Sequence, residues 1–531
     1  MYRIPQTIPD LLKRNVADFG DRKGFVSVLS RTGEWMRHSW KEMDEISDRL
    51  AAGMADLGVR QGQKVAFMQS NSAECYYAYL ATQKLGAVFV PINIRLVPRE
   101  IEYIAGHSDA EFLIFGSNFQ SQVKEIKDKV NLKRLIGIEK ESEKIPDWAA
   151  SFKKLLETQG TPPAVSIGPD DLADLTYTTG TTGRPKGVML TQANKIACGR
   201  LIGNAGGAIR NFYKNERSQT SFPFFTSTGT SSTLMNWLYY GFTLILEPSF
   251  DVLAALQTIE REKSTFYSAA PSMFIFLLDH PRFKEFDTSS LHHVSSGGSA
   301  LPEEVIKRMQ ETWPGVKIFN FYGLTEGGTG GTSIGPTDIL AKLGSIGRPW
   351  PPDQEARIVD EQDRDVRVGE VGEIVLRGPN VMKGYYKDPE ATQETLRNGW
   401  LHTGDMGRYD EDGFFYYTDR KKDMIVRGGF NVYPVEVESA LYEHPAVKQC
   451  AIVAKPHPKL GEDVLALVVL VEGKKATAEQ LIAFCSDKLA DYKRPREVIF
   501  VDSLPLNPMG KVDKKAIRAT HLSPGKPAGK S

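Results

Sequence analysis

Two neighbouring stretches near the start of the chain repeat one pattern, a helical stretch followed by a short apolar strand. Residues 41–58 (KEMDEISDRLAAGMADLG) carry apolar side chains at helical spacing, and residues 64–71 (KVAFMQSN) have the character of a buried strand. Residues 78–93 (AYLATQKLGAVFVPIN) give a helix, a glycine and a strand again, and similar alternation recurs at 253–270 and 303–322. Helices that alternate with strands predict an α/β fold with a largely parallel sheet.

The length of the chain predicts more than one domain, because a single hydrophobic core rarely supports 531 residues. Short strands separated by glycine turns around residues 340–420 predict a small β-rich subdomain that closes the large one. The helices and strands after it suffice for a compact α+β domain of about 100 residues. We predict a large N-terminal domain of αβ subdomains plus the β-rich subdomain (1–420), a small mobile C-terminal domain (423–520) and a disordered tail (521–531).

Composition narrows the classes of function. Lys plus Arg (66) equals Asp plus Glu (66), so the formal net charge gives no support for nucleic acid as a main partner. The four cysteines lie far apart without metal-ligand spacing, which favours buried thiols over a disulfide framework or a zinc site. The N-terminus lacks a secretory apolar core, and no stretch approaches the roughly 20 apolar residues that span a bilayer. These features predict a cytoplasmic protein.

A loop rich in glycine and threonine is the first candidate functional segment. Residues 177–188 read YTTGTTGRPKGV, and their backbone amides and hydroxyls suit an anion. The segment fails the Walker A pattern, because Lys186 follows Pro185 and precedes Gly187 where a magnesium-binding Ser or Thr is required. A flexible surface turn explains the same residues equally well when they are considered alone.

Six further segments occur downstream of this loop. They are GGSALP (297–302), NFYGLTEGG (320–328), GSIGRP (344–349), NGWLHTGDMG (398–407), YTDRKKDMIVRGGFNVYPVEVE (417–438) and LPLNPMGKVDK (504–514). Together with the loop they resemble the adenylate-forming superfamily, which includes acyl-CoA synthetases, aryl-CoA ligases, firefly luciferase and the adenylation domains of peptide synthetases. The resemblance covers the chain from about residue 30 to about residue 518. Six motifs in the family's order make coincidence a poor explanation.

The resemblance implies a site for ATP. Glu326 would hold Mg²⁺ near the triphosphate, since this ion prefers oxygen ligands. Tyr322 would stack on adenine, and the Asn320 amide would pair with the exocyclic amine. Asp405 would accept hydrogen bonds from the ribose hydroxyls, and Arg420 would direct a cation toward ribose or phosphate. The other implied nucleotide positions are Thr178, Thr179, Gly180, Thr181, Thr182, Gly183, Lys186, Gly297, Gly298, Ser299, Phe321, Gly323 and Thr325.

Two lysines match residues that divide the family's reaction into halves. Lys511 matches the lysine that meets the carboxylate oxygen and the α-phosphate during adenylation, where it stabilises developing charge. Lys422 matches the pivot about which the small domain rotates between the half-reactions. An exposed surface charge is the alternative interpretation of either lysine taken alone.

Two segments match the parts of the family that meet coenzyme A. Gly428 and Gly429 would leave a narrow passage for pantetheine. Tyr492, Lys493 and Arg494 would meet the nucleotide end of CoA, because an aromatic ring beside cations suits adenine and phosphate. An ordinary surface turn explains the second segment equally well.

The acyl pocket is expected to include residues 221–232 (SFPFFTSTGTSS). Thr226 stands where the family commonly has histidine, so closure of the pocket by that ring is in doubt, with Phe224 or Phe225 as a partial replacement. The segment has no acidic residue to pair with an ammonium group, which disfavours an α-amino acid.

Glycines after Glu326 bear on the size of the acid. Gly327, Gly328 and Gly330 leave room that favours a bulky or elongated acid, although they also suit backbone geometry alone. No arginine lies inside the pocket motifs to bind a second carboxylate, so a short dicarboxylate is disfavoured.

The function implied by the resemblance is ATP-dependent ligation of a carboxylic acid to CoA through an acyl-adenylate. The catalytic residues would be Lys511, Glu326, Lys186 and Thr178, and the ligands would be ATP, Mg²⁺, CoA and a medium-chain, long-chain or aromatic acid. An acyl-AMP ligase that loads a carrier protein and a non-catalytic nucleotide-binding or acyl-binding homologue remain alternatives. Neither the identity of the acid nor a homodimeric state follows from the sequence.

Overall fold

The structure is a computed structural model of the chain. It describes residues 5–178, 185–205, 216–298, 301–350, 353–420, 423–428, 430–486, 488–506 and 512–522. The chain divides into two compact units, Met1–Ala356 with Val375–His402 and Arg357–Ile374 with Thr403–Ser531. The predicted domain boundary at Lys422 and most of the predicted tail lie outside the described residues, so these assignments stay predictions.

The described residues alternate between helices and strands along most of the chain. The helices are Ile8–Phe19 (α1), Trp40–Asp56 (α2), Ala73–Lys84 (α3), Pro98–His107 (α4), Gln120–Ile126 (α5), Phe152–Leu156 (α6), Gln192–Ala205 (α7), Leu234–Tyr240 (α8), Val252–Glu262 (α9), Pro271–Leu278 (α10), Glu303–Thr312 (α11), Pro389–Thr395 (α12), Pro434–Tyr442 (α13), Ala478–Phe484 (α14) and Lys514–His521 (α15). The strands up to residue 334 are Lys23–Val28 (β1), Trp35–Ser39 (β2), Lys64–Met68 (β3), Val88–Pro91 (β4), Ala110–Gly116 (β5), Arg134–Ile138 (β6), Ala150–Ser151 (β7), Leu172–Thr178 (β8), Lys186–Thr191 (β9), Arg217–Thr220 (β10), Thr243–Leu246 (β11), Phe266–Ala269 (β12), His293–Gly297 (β13), Lys317–Gly323 (β14) and Gly331–Ile334 (β15). The later strands are Glu355–Val359 (β16), Gly372–Arg377 (β17), Gly384–Tyr385 (β18), Leu396–Arg397 (β19), Trp400–Tyr409 (β20), Phe415–Arg420 (β21), Ile425–Arg427 (β22), Phe430–Val432 (β23), Val447–His457 (β24), Gly461–Leu470 (β25) and Glu497–Phe500 (β26).

Two eight-stranded sheets form the framework of the first unit. In one sheet the strand order is β15-β14-β13-β12-β10-β11-β1-β2, and the six strands from β14 to β1 pair in parallel. In the other the order is β18-β9-β8-β4-β3-β5-β6-β7, with parallel pairing from β8 to β7 and antiparallel pairing among β8, β9 and β18. The predicted α/β class with largely parallel sheet is confirmed.

The first turn of helix α2 is stabilised by residues close together in the sequence. The Ser39 hydroxyl accepts a hydrogen bond from the Glu42 amide at 3.1 Å, and the Glu42 carboxylate accepts one from the Ser39 amide at 2.6 Å. This reciprocal capping box satisfies two amide groups that the first helical turn leaves without partners. The helix then buries Met43, Leu50 and Met54, as the apolar spacing predicts.

One hydrophobic core joins the two sheets through helices α1, α2, α3 and α8. Its centre is aromatic: the Trp40 and Trp237 rings stack with centroids 4.5 Å apart, and Tyr76 contacts Trp237 edge-on at 5.4 Å. Aromatic pairs of this kind contribute roughly 0.5–1.5 kcal/mol beyond burial. The core therefore holds both sheets in one rigid unit whose strand ends carry the candidate site.

The second unit contains a separate α+β core. Strands β23, β22, β25 and β24 form an antiparallel sheet, and β26 pairs with β25 in parallel. Apolar residues of α13 and α14, among them Val437, Leu441 and Leu481, pack on Ile425 and Ile452 of this sheet. The predicted C-terminal α+β character is confirmed.

The cysteines and helices agree with two further expectations. Cys75, Cys198, Cys450 and Cys485 are free and buried, as predicted. In the part of the chain that the structure describes, every helix is too short or too polar to cross a membrane.

Glu247, directly after β11, is a buried carboxyl group that makes folding sensitive to pH. Its side chain accepts a hydrogen bond from the Gln219 amide at 3.1 Å, and its Oε2 has no hydrogen-bond partner among the described residues. Burial raises the pKa of Glu247 to about 8, so the folded chain keeps a proton that the unfolded chain releases near pH 4.5. The free energy of unfolding should therefore fall by about 1.4 kcal/mol per pH unit between these two values.

Glu247→Gln should remove this contribution, so the melting temperature of the variant relative to the native chain should rise progressively from about pH 5 to about pH 8. Thermal melts across this range measure the difference. Glu304→Gln, at an exposed position in the first turn of α11, is the matched control and should show no such trend. A pH-independent difference for Glu247→Gln would contradict the account.

Candidate active site

The glycine-rich loop lies between two antiparallel strands. Thr178, the last residue of β8, pairs in register with Lys186, the first residue of β9. The base of this hairpin is fixed from α4, because the Tyr103 hydroxyl donates to the Pro185 carbonyl at 3.2 Å. The loop residues Thr179, Gly180, Thr181, Thr182 and Gly183 lie outside the described residues, so their role stays a prediction.

Glu326 is brought beside this hairpin by a tyrosine that sequence reasoning missed. The Tyr385 hydroxyl donates a hydrogen bond to Glu326 Oε1 at 2.9 Å. Tyr385 belongs to β18, which pairs with β9, and the Lys186 ammonium lies 5.0 Å from the centre of the Tyr385 ring. Burial and the Glu326 charge hold the pKa of Tyr385 far above its ordinary value, so the phenol remains a donor. The structure thus joins Lys186 and Glu326 through one shared ring.

The surroundings of Glu326 fit a magnesium ion. Its carboxylate stands in the short helical turn Thr325–Gly327 after β14, with one oxygen oriented by a neutral phenol. Thr325 directly precedes Glu326 in the sequence, and its hydroxyl lies 2.9 Å from the Ser227 hydroxyl, which adds oxygen donors. Mg²⁺ is bound through one or two carboxylates, phosphate oxygens and water, and this donor set is of that kind.

Tyr385→Phe should weaken Mg²⁺-dependent ATP binding. Loss of the hydroxyl removes one hydrogen bond that orients the Glu326 carboxylate, and removal of an outer partner of a metal ligand costs about 10- to 100-fold in metal affinity. We expect a rise of that order in the Mg²⁺ concentration needed for half-maximal pyrophosphate release. Titration of Mg²⁺ at fixed ATP measures it.

Tyr386→Phe is the matched control for this experiment, because the Tyr386 hydroxyl donates to Asp109 rather than to Glu326. The Mg²⁺ dependence of this variant should match that of the native chain. An identical Mg²⁺ requirement in Tyr385→Phe and Tyr386→Phe would show that the Tyr385 hydroxyl does not orient Glu326.

The predicted adenine-binding residues lie at the carboxyl ends of β13 and β14. Gly297 ends β13, Gly298 follows it, and Ser299 lies outside the described residues. Asn320 is buried on β14, and its Oδ1 accepts no hydrogen bond from any described residue. A buried amide oxygen without a partner is costly, and an exocyclic amine would satisfy it. The remaining predicted residues Phe321, Tyr322, Gly323 and Thr325 continue from this strand.

The glycines after Glu326 are enclosed by protein. A Cβ atom on Gly328 would lie 2.3 Å from Cys198 Sγ and 2.7 Å from the Asn380 carbonyl oxygen, and Gly328 has a positive φ of 56°. A Cβ on Gly330 would lie 2.6 Å from Asn380 Nδ2, whereas one on Gly327 would make ordinary contacts, with Leu324 nearest at 3.4 Å. Close packing thus accounts for the absent side chains at Gly328 and Gly330, which favours the backbone explanation there. The assignment of the three glycines to the acyl pocket stays a prediction.

The segment with Thr226 is fixed by hydrogen bonds. The Thr226 hydroxyl donates to the Pro223 carbonyl at 2.7 Å and accepts from the Gly229 amide at 3.1 Å, at the entry to the π-helical turn Thr228–Thr233. Asn71 holds the preceding residues, since its Oδ1 accepts from the Phe224 amide at 2.7 Å. Threonine thus has a clear local role at the position where the family commonly has histidine.

The two predicted pocket phenylalanines are both buried. Phe224 is only 1% exposed. The centroid of its ring lies within 6.2 Å of the ring centroids of four other aromatic residues, Tyr76, Tyr79, Phe67 and Phe89. This places the Phe224 ring in the aromatic core. Phe225 is 8% exposed. The assignment of both residues to the pocket stays a prediction.

In the second unit, the predicted ribose-binding residues are cross-strand partners. Asp405 on β20 pairs in register with Arg420 on β21, and Arg420 Nε lies 3.4 Å from Asp405 Oδ1. Asp419 next to them is buried and accepts hydrogen bonds from the amides of Arg420 and Val435. Burial raises the pKa of Asp419 to about 6 even though the nearby Lys514 lowers it. Two strands thus present one carboxylate and one cation together.

The two segments assigned to CoA also meet in the second unit. Tyr492 stacks on Phe430 with ring centroids 4.8 Å apart, and Phe430 is 58% exposed. Phe430 follows the glycine pair directly, so the stack joins that segment to the DYKRP segment. Lys493 pairs with Glu436 at 2.6 Å, while Arg494 donates to the Leu489 carbonyl at 3.1 Å. Sequence reasoning did not identify Phe430.

Among the remaining predicted residues of this unit, only Gly428 lies within the described residues. Gly428 has a positive φ of 58°, and its amide donates to the Leu460 carbonyl at 2.9 Å. Gly429, Lys422 and Lys511 lie outside the described residues, and their roles stay predictions.

Comparison with known proteins decides the family. Residues 12–386 match the AMP-binding enzyme family, and residues 436–511 match the AMP-binding enzyme C-terminal domain. The chain belongs to the AMP-binding enzyme family. The resemblance inferred from seven short segments is thereby confirmed.

Relatives of this AMP-binding enzyme include ligases for different acids. The chain is 35% identical to feruloyl-CoA synthase from Amycolatopsis sp, over 90% of this chain and 93% of that protein. It is 35% identical to long-chain-fatty-acid–CoA ligase from Bacillus subtilis (strain 168), over 96% and 94% of the two chains. The crystal structure of the anthranilate CoA ligase AuaEII with anthranoyl-AMP matches with a TM-score of 0.88, 28% identity and 98% coverage of both chains. The protein is an acid–thiol ligase of this family.

Proposed function

We propose that this AMP-binding enzyme joins a monocarboxylic acid to CoA in two steps that share one site. The observation that carries the proposal is the cluster of Lys186, Tyr385 and Glu326 beside the β8–β9 hairpin. A cation, a carboxylate and a loop rich in amides and hydroxyls suit a nucleoside triphosphate.

In the first step, a carboxylate oxygen of the acid attacks the α-phosphorus of ATP, and the bond to the bridging oxygen of pyrophosphate breaks. Lys186 would bind the phosphates that leave, and Glu326 would hold the magnesium ion whose charge offsets theirs. Asn320 would orient the adenine, because its Oδ1 has no partner among the described residues. Lys511 would stabilise the charge that develops between the carboxylate and the α-phosphate.

In the second step, the CoA sulfur attacks the acyl carbon and AMP leaves with the electron pair of the broken carbon–oxygen bond. The Phe430–Tyr492 stack, beside Lys493 and Arg494, would bind the nucleotide end of CoA. Asp405 and Arg420 would hold the ribose or phosphate of the nucleotide. Lys422 would serve as the pivot between the two steps.

The acid is proposed to be a medium-chain, long-chain or aromatic monocarboxylic acid. Relatives of equal identity are named for feruloyl and for long-chain fatty acid substrates, which supports both subclasses. The segment 221–232 contains no acidic residue, which continues to disfavour an α-amino acid.

A panel of carboxylic acids tests the proposal. Straight-chain acids of increasing length, cinnamate-type acids, benzoates, an amino acid and a short dicarboxylate are supplied with ATP and Mg²⁺, and pyrophosphate release is measured with and without CoA. We expect at least one aliphatic or aromatic monocarboxylate to support both pyrophosphate release and CoA-dependent AMP release.

Two results of this panel would contradict the proposal. Preference for the amino acid or the dicarboxylate would overturn the proposed substrate class. AMP release that requires a carrier protein and ignores CoA would overturn the proposed acceptor.

A further inference from the structure

A cluster of potential metal ligands lies at the edge of the first sheet opposite the candidate active site. Glu216 immediately precedes β10, while His292 and His293 stand at the start of β13. Gly297, at the other end of β13, belongs to the proposed nucleotide site. At about 3.3 Å per residue, the two ends of this strand are about 13 Å apart. The proposed nucleotide chemistry therefore makes no use of this cluster.

The three side chains converge closely. Glu216 Oε1 lies 3.2 Å from His292 Nε2 and 3.6 Å from His293 Nδ1. All three potential ligand atoms lie within 4.8 Å of one another. Ligands about 2.0–2.1 Å from a tetrahedral metal are about 3.3–3.4 Å apart, between the two measured distances.

His292 uses its two ring nitrogens differently: Nδ1 contacts a backbone carbonyl, and Nε2 faces the cluster. His292 Nδ1 lies 3.2 Å from the Ser290 carbonyl oxygen, which can only accept, so Nδ1 carries the proton of that bond. With Nδ1–H as the donor and no second proton on the ring, the lone pair of Nε2 points at the Glu216 carboxylate, and two acceptors face each other at 3.2 Å. Such a contact requires a cation between them, either a proton or a metal ion. A histidine that binds metal commonly donates its other N–H to a carbonyl in this way.

Outer contacts hold the other two side chains. The Thr265 hydroxyl, at the start of the intervening strand β12, donates to Glu216 Oε2. The His293 ring is buried between Phe266 and Phe319, with ring centroids 5.8 and 6.1 Å away. Glu216 is also buried, while the His292 side chain is 53% exposed and leaves one side of the cluster open to solvent.

The backbone under the cluster is fixed by the strand ladder. The amides of His292 and His293 both donate to the Thr265 carbonyl at 3.1 Å, and the Thr243 amide donates to the Glu216 carbonyl at 3.0 Å. A site on rigid strand ends has little to reorganise when it binds an ion.

We propose that Glu216, His292 and His293 bind a divalent transition metal ion of the zinc type, with solvent in the fourth position. Two imidazoles and one carboxylate suit zinc or cobalt, whereas magnesium prefers oxygen ligands alone. The site is separate from the magnesium assigned to Glu326, and it stands whether or not the proposed ligase activity is correct.

The test measures bound metal rather than activity. Tag-free full-length protein is stripped with a chelator, equilibrated with Zn²⁺ in the presence of excess Mg²⁺, separated from free metal and analysed by elemental mass spectrometry. We expect one zinc ion per chain in the native protein. Substitution of Co²⁺ should give the intense visible absorption of a tetrahedral site.

Glu216→Gln and His292→Ala should each lower zinc affinity by more than about 100-fold, because loss of an outer partner alone costs about 10- to 100-fold. His292 is exposed, so its alanine variant should melt like the metal-free native chain. The zinc affinity of Thr265→Val should lie between that of the native chain and those of Glu216→Gln and His292→Ala. The zinc affinity of Thr265→Ser should equal that of the native chain.

His521→Ala, at an exposed histidine near the end of α15, is the matched control and should retain full zinc binding. The proposal is overturned if the native chain retains no more zinc than Glu216→Gln, which is the result expected when a proton alone joins His292 to Glu216. It is equally overturned if His292→Ala binds zinc as tightly as the native chain.

Discussion

Lys511→Ala is expected to lower the rate of acyl-adenylate formation by about 100- to 1,000-fold, since removal of one group that stabilises developing charge has an effect of this size. Conversion of supplied acyl-adenylate and CoA to acyl-CoA should proceed at close to the native rate. The asymmetry follows from the proposal that Lys511 serves only the first step. Pyrophosphate release and thioester formation are measured separately on the same preparation.

Lys515→Ala is the matched control, because Lys515 is an exposed lysine in α15 four residues further along the chain. Both half-reactions of this variant should remain at the native rate. If Lys511→Ala lowered the rates of both half-reactions equally, with the melting temperature unchanged, Lys511 would not serve the first step alone.

Glu326→Gln is expected to lower adenylation by about 100-fold or more at ordinary Mg²⁺ concentration. The substitution keeps the size of the side chain and its contact with the Tyr385 hydroxyl, but removes the negative charge that attracts the ion. Higher Mg²⁺ should recover part of the rate. Initial rates of pyrophosphate release across a Mg²⁺ series measure both effects.

Glu304→Gln, on the exposed face of α11, serves again as the control and should leave the Mg²⁺ dependence unchanged. A Glu326→Gln enzyme with a lower rate but the native Mg²⁺ dependence would assign Glu326 to substrate positioning and contradict its role as the metal ligand.

The sequence predicted the elements of the fold because their signals are local. The apolar spacing in residues 41–58 acts within one helix, and α2 forms at Trp40–Asp56. The apolar run that begins at Lys64 forms β3 in the same way. Motif order then predicted the family, since each motif is a short run that remains readable without its neighbours in space.

The contact between Tyr385 and Glu326 could not be predicted, because it joins residues 59 positions apart through a two-residue strand. A strand this short has no periodicity to detect. The sequence shows two adjacent tyrosines, Tyr385 and Tyr386, but not which carboxylate each hydroxyl binds. In the structure Tyr385 binds Glu326 and Tyr386 binds Asp109.

The glycine run after Glu326 shows a different limit. Sequence identifies an absent side chain but not what occupies its place, and at Gly328 the place is taken by Cys198 and Asn380. The His292–His293 pair was visible in the sequence, but its carboxylate, Glu216, lies 76 residues before His292 and immediately precedes another strand. Sheet order, rather than spacing along the chain, brings these groups together.

Exchange of labelled pyrophosphate into ATP, measured with an accepted acid and without CoA, tests whether the enzyme forms an acyl-adenylate. A two-step ligase must form acyl-adenylate and pyrophosphate reversibly before CoA arrives. We expect exchange that depends on the acid and on Mg²⁺ and that is lost in Glu326→Gln. Acyl-CoA formation with no exchange in the absence of CoA, or with ADP and phosphate as products, would contradict it.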